Sequence, residues 1–240
     1  MKAFLLAAGL GTRLHPITHT IPKCLVPVAG KPLINWWFEL LEKNGVNEVL
    51  INLHHLPEKV TDHIRSLSLN LKIVFAEEEV LQGSAGTLWT NRSFVAGEKN
   101  FFVLYADNLT SVNLNEMKLF HEAGDHPLTM ALFTTPRPSQ CGIVQLDHQN
   151  VVVDFVEKPL HPLSDLANAG MYIMQPEVLE LIDGEHLPKD IGFDLLPALV
   201  GKMRGWKMND YLIDIGTHEN LQKANEEWPL ILRSSATGEI

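Results

Sequence analysis

The chain opens with an apolar run that breaks into a glycine-punctuated basic loop: Ala3-Phe4-Leu5-Leu6-Ala7-Ala8, then Gly9-Leu10-Gly11-Thr12-Arg13. The run reads as a buried strand. Gly9 and Gly11 let the backbone turn tightly enough to aim amide hydrogens at an anion, and Arg13 and Lys23 add full positive charge. A nucleoside triphosphate suits such a loop. Neither common phosphate motif fits, because no Gly-Lys-Ser/Thr follows and the third glycine of the dinucleotide fingerprint is missing. Taken alone, Gly-x-Gly is a structural turn more often than not.

The pattern downstream alternates strand and helix, which predicts a doubly wound α/β fold with a mostly parallel, Rossmann-like sheet. A helix runs from Pro32 to Gly45 with Leu33, Trp36, Trp37, Leu40 and Leu41 on one face, followed by a strand over Glu48–Leu53. Helices around Pro57–Ser68 and Ser84–Val95 lead to strands at Leu71–Phe75 and Phe101–Tyr105. From Leu128 the strands shorten, at Thr129–Thr135, Ile143–Leu146 and Val151–Val156, before helices around Pro176–Ile182, Gly192–Met203 and His218–Trp228. One domain over 1–228 is expected, with a nucleotide-binding half (1–127), a smaller half (128–228) that is the expected place for a second substrate, and a fraying C-terminal tail (229–240).

Composition narrows the class of ligand. A net charge of -10 argues against a nucleic-acid surface, so any anion site is local. Cys24 and Cys141 lack any metal-ligand or redox spacing, and the initial apolar run is too short for a signal peptide or a membrane span. These features point to a cytoplasmic protein with reduced thiols and no membrane partner. The 11 histidines are scattered without a ligand pattern and read mostly as surface or loop residues.

Two aspartates end apolar strands, Asp107 after Phe101–Tyr105 and Asp214 in Leu212-Ile213-Asp214-Ile215-Gly216-Thr217. One or two carboxylates plus phosphate oxygens is the usual way Mg²⁺ is held. Either Asp alone is more commonly a loop or helix cap.

The string Gly9-Leu10-Gly11-Thr12-Arg13-Leu14-His15-Pro16-Ile17-Thr18, with Pro22-Lys23 and Pro27-Val28-Ala29-Gly30-Lys31-Pro32, closely resembles the signature of the sugar-phosphate nucleotidyltransferases. Leu81-Gln82-Gly83-Ser84-Ala85-Gly86-Thr87 resembles that family's Leu-Gly-Thr-Ala-Gly loop, with Ser84 in place of Thr; it reads equally as a helix start capped by Ser84. Glu157-Lys158-Pro159 resembles the family's sugar-phosphate motif, and no hexapeptide repeats of a β-helical extension are seen.

The resemblance implies a transfer of a nucleotidyl group from a nucleoside triphosphate to a sugar 1-phosphate, giving a nucleotide sugar and pyrophosphate. It implies nucleotide contacts at Leu6, Ala8, Gly9, Gly11, Thr12, Gln82, Gly83 and Gly86, and sugar-phosphate contacts at Gly142, Glu157, Lys158, Asn168 and Gly170. Asp107 and Asp214 become Mg²⁺ ligands, while Arg13, Lys23 and Lys158 carry the catalytic charge. The compact chain and its Gly-Ser-Ala-Gly loop look most like guanylyltransferases acting on mannose or heptose 1-phosphate. Gln82 resembles the thymidylyltransferase branch, so dTTP or UTP stays open, as do a cytidylyltransferase, an inactive nucleotide-sugar-binding regulator and a homo-oligomer.

Overall fold

The structure is a computed structural model and describes residues 1–237. Its strands are β1 (Lys2–Leu6), β2 (Pro27–Val28), β3 (Lys31–Pro32), β4 (Glu48–Leu53), β5 (Lys72–Glu77), β6 (Phe101–Tyr105), β7 (Asn108–Thr110), β8 (Leu128–Thr134), β9 (Gly142–Leu146), β10 (Val152–Glu157), β11 (Leu166–Met174), β12 (Met203–Lys207) and β13 (Leu212–Asp214). The helices are α1 (Leu33–Lys43), α2 (Pro57–Arg65), α3 (Ser84–Thr90), α4 (Leu114–Glu122) and α5 (His218–Thr237). The α/β class expected from the alternation is the class observed. No helix among the described residues is long and apolar enough to cross a membrane.

The chain divides into two compact units, with the division falling inside β1 and at the end of β6. One unit comprises Met1–Phe4, Val80–Leu104 and Asn113–Asn209. Its hydrogen-bonded strand order is β10-β9-β11-β6, with β1 beyond β6 and with β8 joining β11 to β12. β11 runs antiparallel to β6, β8 and β9, and β12 runs parallel to β8. The core includes Phe101, Phe102, Met130, Leu132, Tyr172 and Met174; consecutive residues Phe101–Leu104 and Met171–Met174 are all buried, so these strands are covered on both faces rather than alternating in and out.

The other unit comprises Leu5–Glu79, Tyr105–Val112 and the chain from Asp210. Here β4 pairs in parallel with β5, setting Leu50 beside Val74; β4 is buried from Val49 to Leu53 and apolar except for Asn52, as a strand covered on both faces demands, while β5 at the sheet edge is half-buried. The short β13 pairs antiparallel with β7, setting Asp214 opposite Asn108. A core of Leu14, Val26, Val28, Leu33, Leu109, Ile215, Ala224 and Trp228 lies beneath these segments. Trp228 meets Trp36 edge-on at 5.5 Å between ring centroids, which ties α5 to α1.

Several elements depart from the sequence pattern. β11 escapes it because Asn168, Ala169 and Gly170 look like a loop; Gly170 has φ +69°, and the register against β8 shifts between Asn168 and Tyr172. α4 is a short helix capped by Asn113, whose Oδ1 accepts the amides of Asn115 and Glu116. The stretch expected as one helix over Gly192–Met203 is a π-turn at Ile191–Leu195, a 3₁₀ turn at Leu196–Leu199 and then β12. Gly192 and Pro197 deprive it of a regular α register. Pro176–Leu181 is likewise 3₁₀, and the helix from Ser84 ends at Thr90. At the C-terminus α5 runs through Pro229 to Thr237 where a fraying tail was expected, because buried Ala224 and Trp228 anchor the turn ahead of the proline. Residues 238–240 of that tail lie outside the described residues.

Candidate functional site

The functional side chains form two clusters, one in each unit. The first grows from the loop after β1. Gly11 sits at φ +65°, and a Cβ there would lie 2.9 Å from Thr18 Cγ2, so the turn requires glycine on both counts. At Gly9 a Cβ would meet nothing within 4 Å. Ala7 donates its amide to Asn52 Oδ1 at 2.7 Å, and Leu14 donates to the Gly11 carbonyl at 2.9 Å. Between them, the amides from Ala8 to Arg13 make no bond among the described residues, and most of this stretch is exposed. Thr18 braces the turn from below, its hydroxyl donating to the Gly11 carbonyl at 2.7 Å.

Lys23 emerges from a 3₁₀ turn beneath this loop and is only 7% exposed. Its Nζ lies 2.7 Å from Asp107 Oδ2 and 3.0 Å from Asp214 Oδ1. Burial alone would depress the ammonium, but the two carboxylates outweigh it and hold its pKa above the ordinary lysine value. Burial would likewise raise the Asp214 carboxyl, and Lys23, the Gly216 amide and Arg13 together hold it below the usual range. Arg13 Nη2 approaches Asp214 Oδ2 at 3.3 Å. The backbone around Asp214 is fixed by its own neighbours: Gly216 N–H donates to Oδ1 at 2.8 Å and Asn220 Nδ2 donates to the Asp214 carbonyl at 2.7 Å.

A buried cation flanked by two half-exposed carboxylates is thus built from segments far apart in sequence. The carboxylates also match what Mg²⁺ takes from protein when phosphate supplies the rest. Among the described residues no three His, Cys, Asp or Glu side chains converge on one metal position. Neither Cys24 nor Cys141 is in a disulfide, and burial pushes the Cys24 thiol up to about 12, which keeps it unreactive.

The second cluster centres on Glu157 and Lys158 at the end of β10. The Glu157 carboxylate lies against two glycine backbones: a Cβ at Gly142 would sit 2.5 Å from its Oε2, and one at Gly192 2.6 Å from the same atom. Burial raises its pKa; Lys158 pulls it back and Asp190 pushes it the same way as burial. Lys158 has φ +49°, which turns its side chain away from the strand, with Nζ 3.7 Å from Glu157 Oε1 and 5.7 Å from the Phe193 ring centroid. Asn168 Nδ2 donates to the Tyr172 hydroxyl at 2.7 Å, and Asn168 Oδ1 accepts the Gly170 amide at 2.9 Å. Burial raises the pKa of the Tyr172 phenol, the Asn168 hydrogen bond opposes the shift, and the charges of Asp190 and Glu157 add to it.

Gln82, Gly83 and Gly86 belong to this unit, but the glycines face the protein's own chain. A Cβ at Gly83 would lie 2.2 Å from the Lys189 carbonyl oxygen, and one at Gly86 2.9 Å from Leu187 Cδ2. Lys189 O accepts the amides of Ala85 and Gly86 at 2.9 and 3.2 Å, and Lys189 N–H donates to the Gln82 carbonyl at 2.9 Å. The expected Ser84 cap is not formed. Gly83 holds the cap position of α3, and the Ser84 hydroxyl donates instead to Asp190 Oδ2 at 2.8 Å.

Pattern reading also misplaced His121. It is buried rather than on the surface, with Nδ1 2.8 Å from Thr129 Oγ1 and Nε2 3.0 Å from Asn100 Oδ1. Asp190 went unnoticed because a lone Asp between Lys189 and Ile191 carries no motif; its one signal is a side chain able to cap Gly192 two residues on.

An α/β sheet whose strand ends carry an exposed glycine turn, a buried lysine and a carboxylate pair has the donors and charges that suit a phosphorylated ligand. The chain matches the Nucleotidyl transferase family over residues 2–229 and belongs to it. It is similar to the mannose-1-phosphate guanyltransferase of Schizosaccharomyces pombe, at 32% identity over 90% of this chain and 61% of that one. It is also similar to the UTP–glucose-1-phosphate uridylyltransferase of Synechocystis sp., at 34% identity over 83% of this chain and 55% of that one. The chain therefore spans 55–61% of the length of these curated relatives. Among solved structures, HddC from Yersinia pseudotuberculosis complexed with GMP-PN superposes with a TM-score of 0.79 at 27% identity, covering 95% of this chain and 99% of that one.

Proposed function

We propose that the protein is a sugar-1-phosphate nucleotidyltransferase. A sugar-phosphate oxygen attacks the α-phosphorus of a nucleoside triphosphate, the bond to the β-phosphate breaks, and a nucleotide sugar and pyrophosphate leave. The observation that carries this reading is Lys23, buried and held by Asp107 and Asp214 under a loop whose amides from Ala8 to Arg13 are free to bind an anion.

Each cluster has its own task. The loop amides and Arg13 hold the phosphates that depart, alongside nucleotide contacts at Leu6, Ala8, Gly9, Gly11 and Thr12. Lys23 places a full charge where charge builds on the α-phosphoryl group. In the other unit, Glu157 accepts hydrogen bonds from sugar hydroxyls beside the Gly142 backbone and the Asn168–Gly170 bend, and Lys158 aligns the sugar phosphate. Asp107 and Asp214 are the groups that would hold Mg²⁺, which when bound supplies charge neutralisation at phosphate. No side-chain nucleophile is required.

GTP and mannose 1-phosphate, or a related heptose 1-phosphate, are the preferred substrates in this reading. The support is the similarity to the S. pombe guanyltransferase and to HddC, whose crystals contain GMP-PN. UTP is the second choice, on the Synechocystis relative, and dTTP the third, on Gln82. A cytoplasmic enzyme, alone or as a homo-oligomer, belongs to the same reading.

The test is pyrophosphate release with Mg²⁺, each nucleoside triphosphate and a panel of sugar 1-phosphates. It is followed by competition among equal GTP, UTP, dTTP, CTP and ATP, read by mass spectrometry of the nucleotide sugar. GTP is expected to lead by at least about tenfold in kcat/KM, because a guanine site leaves buried polar groups unpaired with any other base. Dominance by UTP or dTTP rejects guanine and keeps the reaction; no release with any pair rejects the reaction.

A further inference from the structure

Glu157 stands between two glycines, and only one of them, Gly142, is on its own sheet. The other, Gly192, arrives from the π-turn at Ile191–Leu195, and what fixes that turn is Asp190. Asp190 Oδ1 accepts the amides of Gly192 and Phe193 at 2.8 and 3.3 Å. Its Oδ2 accepts the Ser84 hydroxyl at 2.8 Å, and the same hydroxyl oxygen accepts the Ile191 amide at 2.8 Å. Its own amide donates to Asp194 Oδ2 at 2.7 Å, and Lys189 Nζ reaches Asp194 Oδ1 at 3.2 Å. A Cβ on Gly192 would lie 2.6 Å from Glu157 Oε2 and 3.2 Å from Asp190 Oδ1, so the Gly192 backbone is wedged between the two carboxylates.

We infer that Asp190 is a positioning residue for the sugar phosphate: by capping the 191–195 turn from a base anchored on Ser84, it sets the Gly192 backbone against Glu157 and the Phe193 ring beside Lys158. The inference rests on the sugar-phosphate role proposed for Glu157 and Lys158.

The physical argument is one of competing placements. A π-turn is a weak local structure, and here it contains a glycine, so without its cap the segment has many backbone alternatives. Two amides bonded to one carboxylate oxygen remove them. Phe193 is 59% exposed and its amide donates to Asp190, so the cap is a direct hold on the backbone that carries the ring beside Lys158. With the turn released, Glu157 loses one of the two walls that set its carboxylate, and Lys158 loses the ring at its flank. Asp190 touches neither reacting group, which is why its effect is expected on the binding of one substrate rather than on chemistry with both.

The experiment is steady-state kinetics and calorimetric titration with sugar 1-phosphate on the full chain, comparing wild type, Asp190→Ala and Asp190→Asn. Asp190→Ala is expected to raise KM and Kd for sugar 1-phosphate by about tenfold or more while KM for the triphosphate changes by less than about threefold. Asp190→Asn keeps an oxygen at the position of Oδ1 and is expected to return the sugar-phosphate constants to within about threefold of wild type. Should Asp190→Ala fail to fold, Asp190→Glu, which displaces the carboxylate by one methylene, is expected to show the same split. Equal changes in both substrate constants, or wild-type sugar-phosphate binding in folded Asp190→Ala, overturn the positioning role alone. Wild-type protein that neither binds nor uses any sugar 1-phosphate overturns this inference together with the proposed function.

Discussion

Arg13 meets Asp214 through a single guanidinium nitrogen, Nη2, at 3.3 Å from Oδ2, while its side chain stays 64% exposed. That is a loose grip for a side chain able to make a bidentate fork with a carboxylate. An exposed ion pair of this kind contributes about 0–1 kcal/mol to stability. Arg13 is therefore available for a phosphate at little cost. Arg13→Ala is expected to leave the melting temperature within a degree or two of wild type and to lower kcat/KM for the triphosphate about ten- to hundredfold, the worth of one charge-assisted contact. A collapse of the melting transition in this variant would show that Arg13 is a structural partner instead.

Asp107→Asn keeps the shape of the strand end and removes one of the two charges on Lys23. Lys23 retains Asp214 at 3.0 Å, so the buried ammonium is not orphaned and stability should fall only modestly. Activity should drop by about a hundredfold or more, with poor rescue by extra Mg²⁺ or Mn²⁺. Full activity in Asp107→Asn would remove this residue from the metal-binding pair.

Gly216 has no room for a side chain. A Cβ there would sit 2.7 Å from Arg13 Nη2 and 2.8 Å from both Asp214 Oδ1 and Lys23 Nζ. The arginine can swing away, but Lys23 is buried and pinned, so Gly216→Ala must move the ammonium or Asp214. A loss of activity of about tenfold or more, with a far-ultraviolet circular dichroism spectrum like that of wild type, is expected. Wild-type kcat in this variant would mean that the placement of Lys23 is not critical to the reaction.

Lys158 carries a left-handed backbone at φ +49°, which costs an L-residue about 1 kcal/mol. Lys158→Gly should therefore unfold at the same temperature as wild type or slightly higher, while Lys158→Ala, with its Cβ, should not gain. Both should raise KM for sugar 1-phosphate and lower kcat, with triphosphate affinity nearly unchanged. Matching losses of affinity for both substrates would contradict the role given to this lysine.

Which parts were legible in the sequence follows from how each is encoded. The loop after β1 is local: its glycines, Arg13 and Lys23 lie within one short stretch, and Gly11 is required by its own φ and by Thr18. Asp107 and Asp214 could each be seen as a strand-end acid, but only the β7–β13 pairing brings them to one ammonium. The Gly83–Gly86 loop was visible as a special turn, yet what fills the space there is the Lys189 backbone at Gly83 and the Leu187 side chain at Gly86, a partner segment about a hundred residues away with no motif of its own. β11 was hidden for a local reason, since its glycine bend imitates a loop. His121 was hidden because partners from Asn100 and Thr129 are what make its burial tolerable.

His121 supplies a stability prediction independent of the site. Its pKa is lowered to about 4, first by burial, with Lys99, Arg204 and His126 adding to the effect and Glu122 opposing it. Above about pH 6.5 the ring is neutral in both folded and unfolded chains, and the native state keeps its full stability. Between pH 6.5 and 4 the unfolded chain takes up a proton that the native ring refuses, so stability falls as the pH falls. Below pH 4 both states are protonated and the loss levels off, at no more than about 3 kcal/mol. Other groups titrate in the same range, so the informative quantity is a difference between two proteins. His121→Gln can still meet Thr129 and Asn100 but cannot take up a proton. It should be less stable than wild type at pH 7.5 and should close much of that gap by pH 4.5 in urea unfolding. A gap that stays constant from pH 7.5 to 4.5 would show that His121 titrates in the folded protein as it does in the unfolded chain.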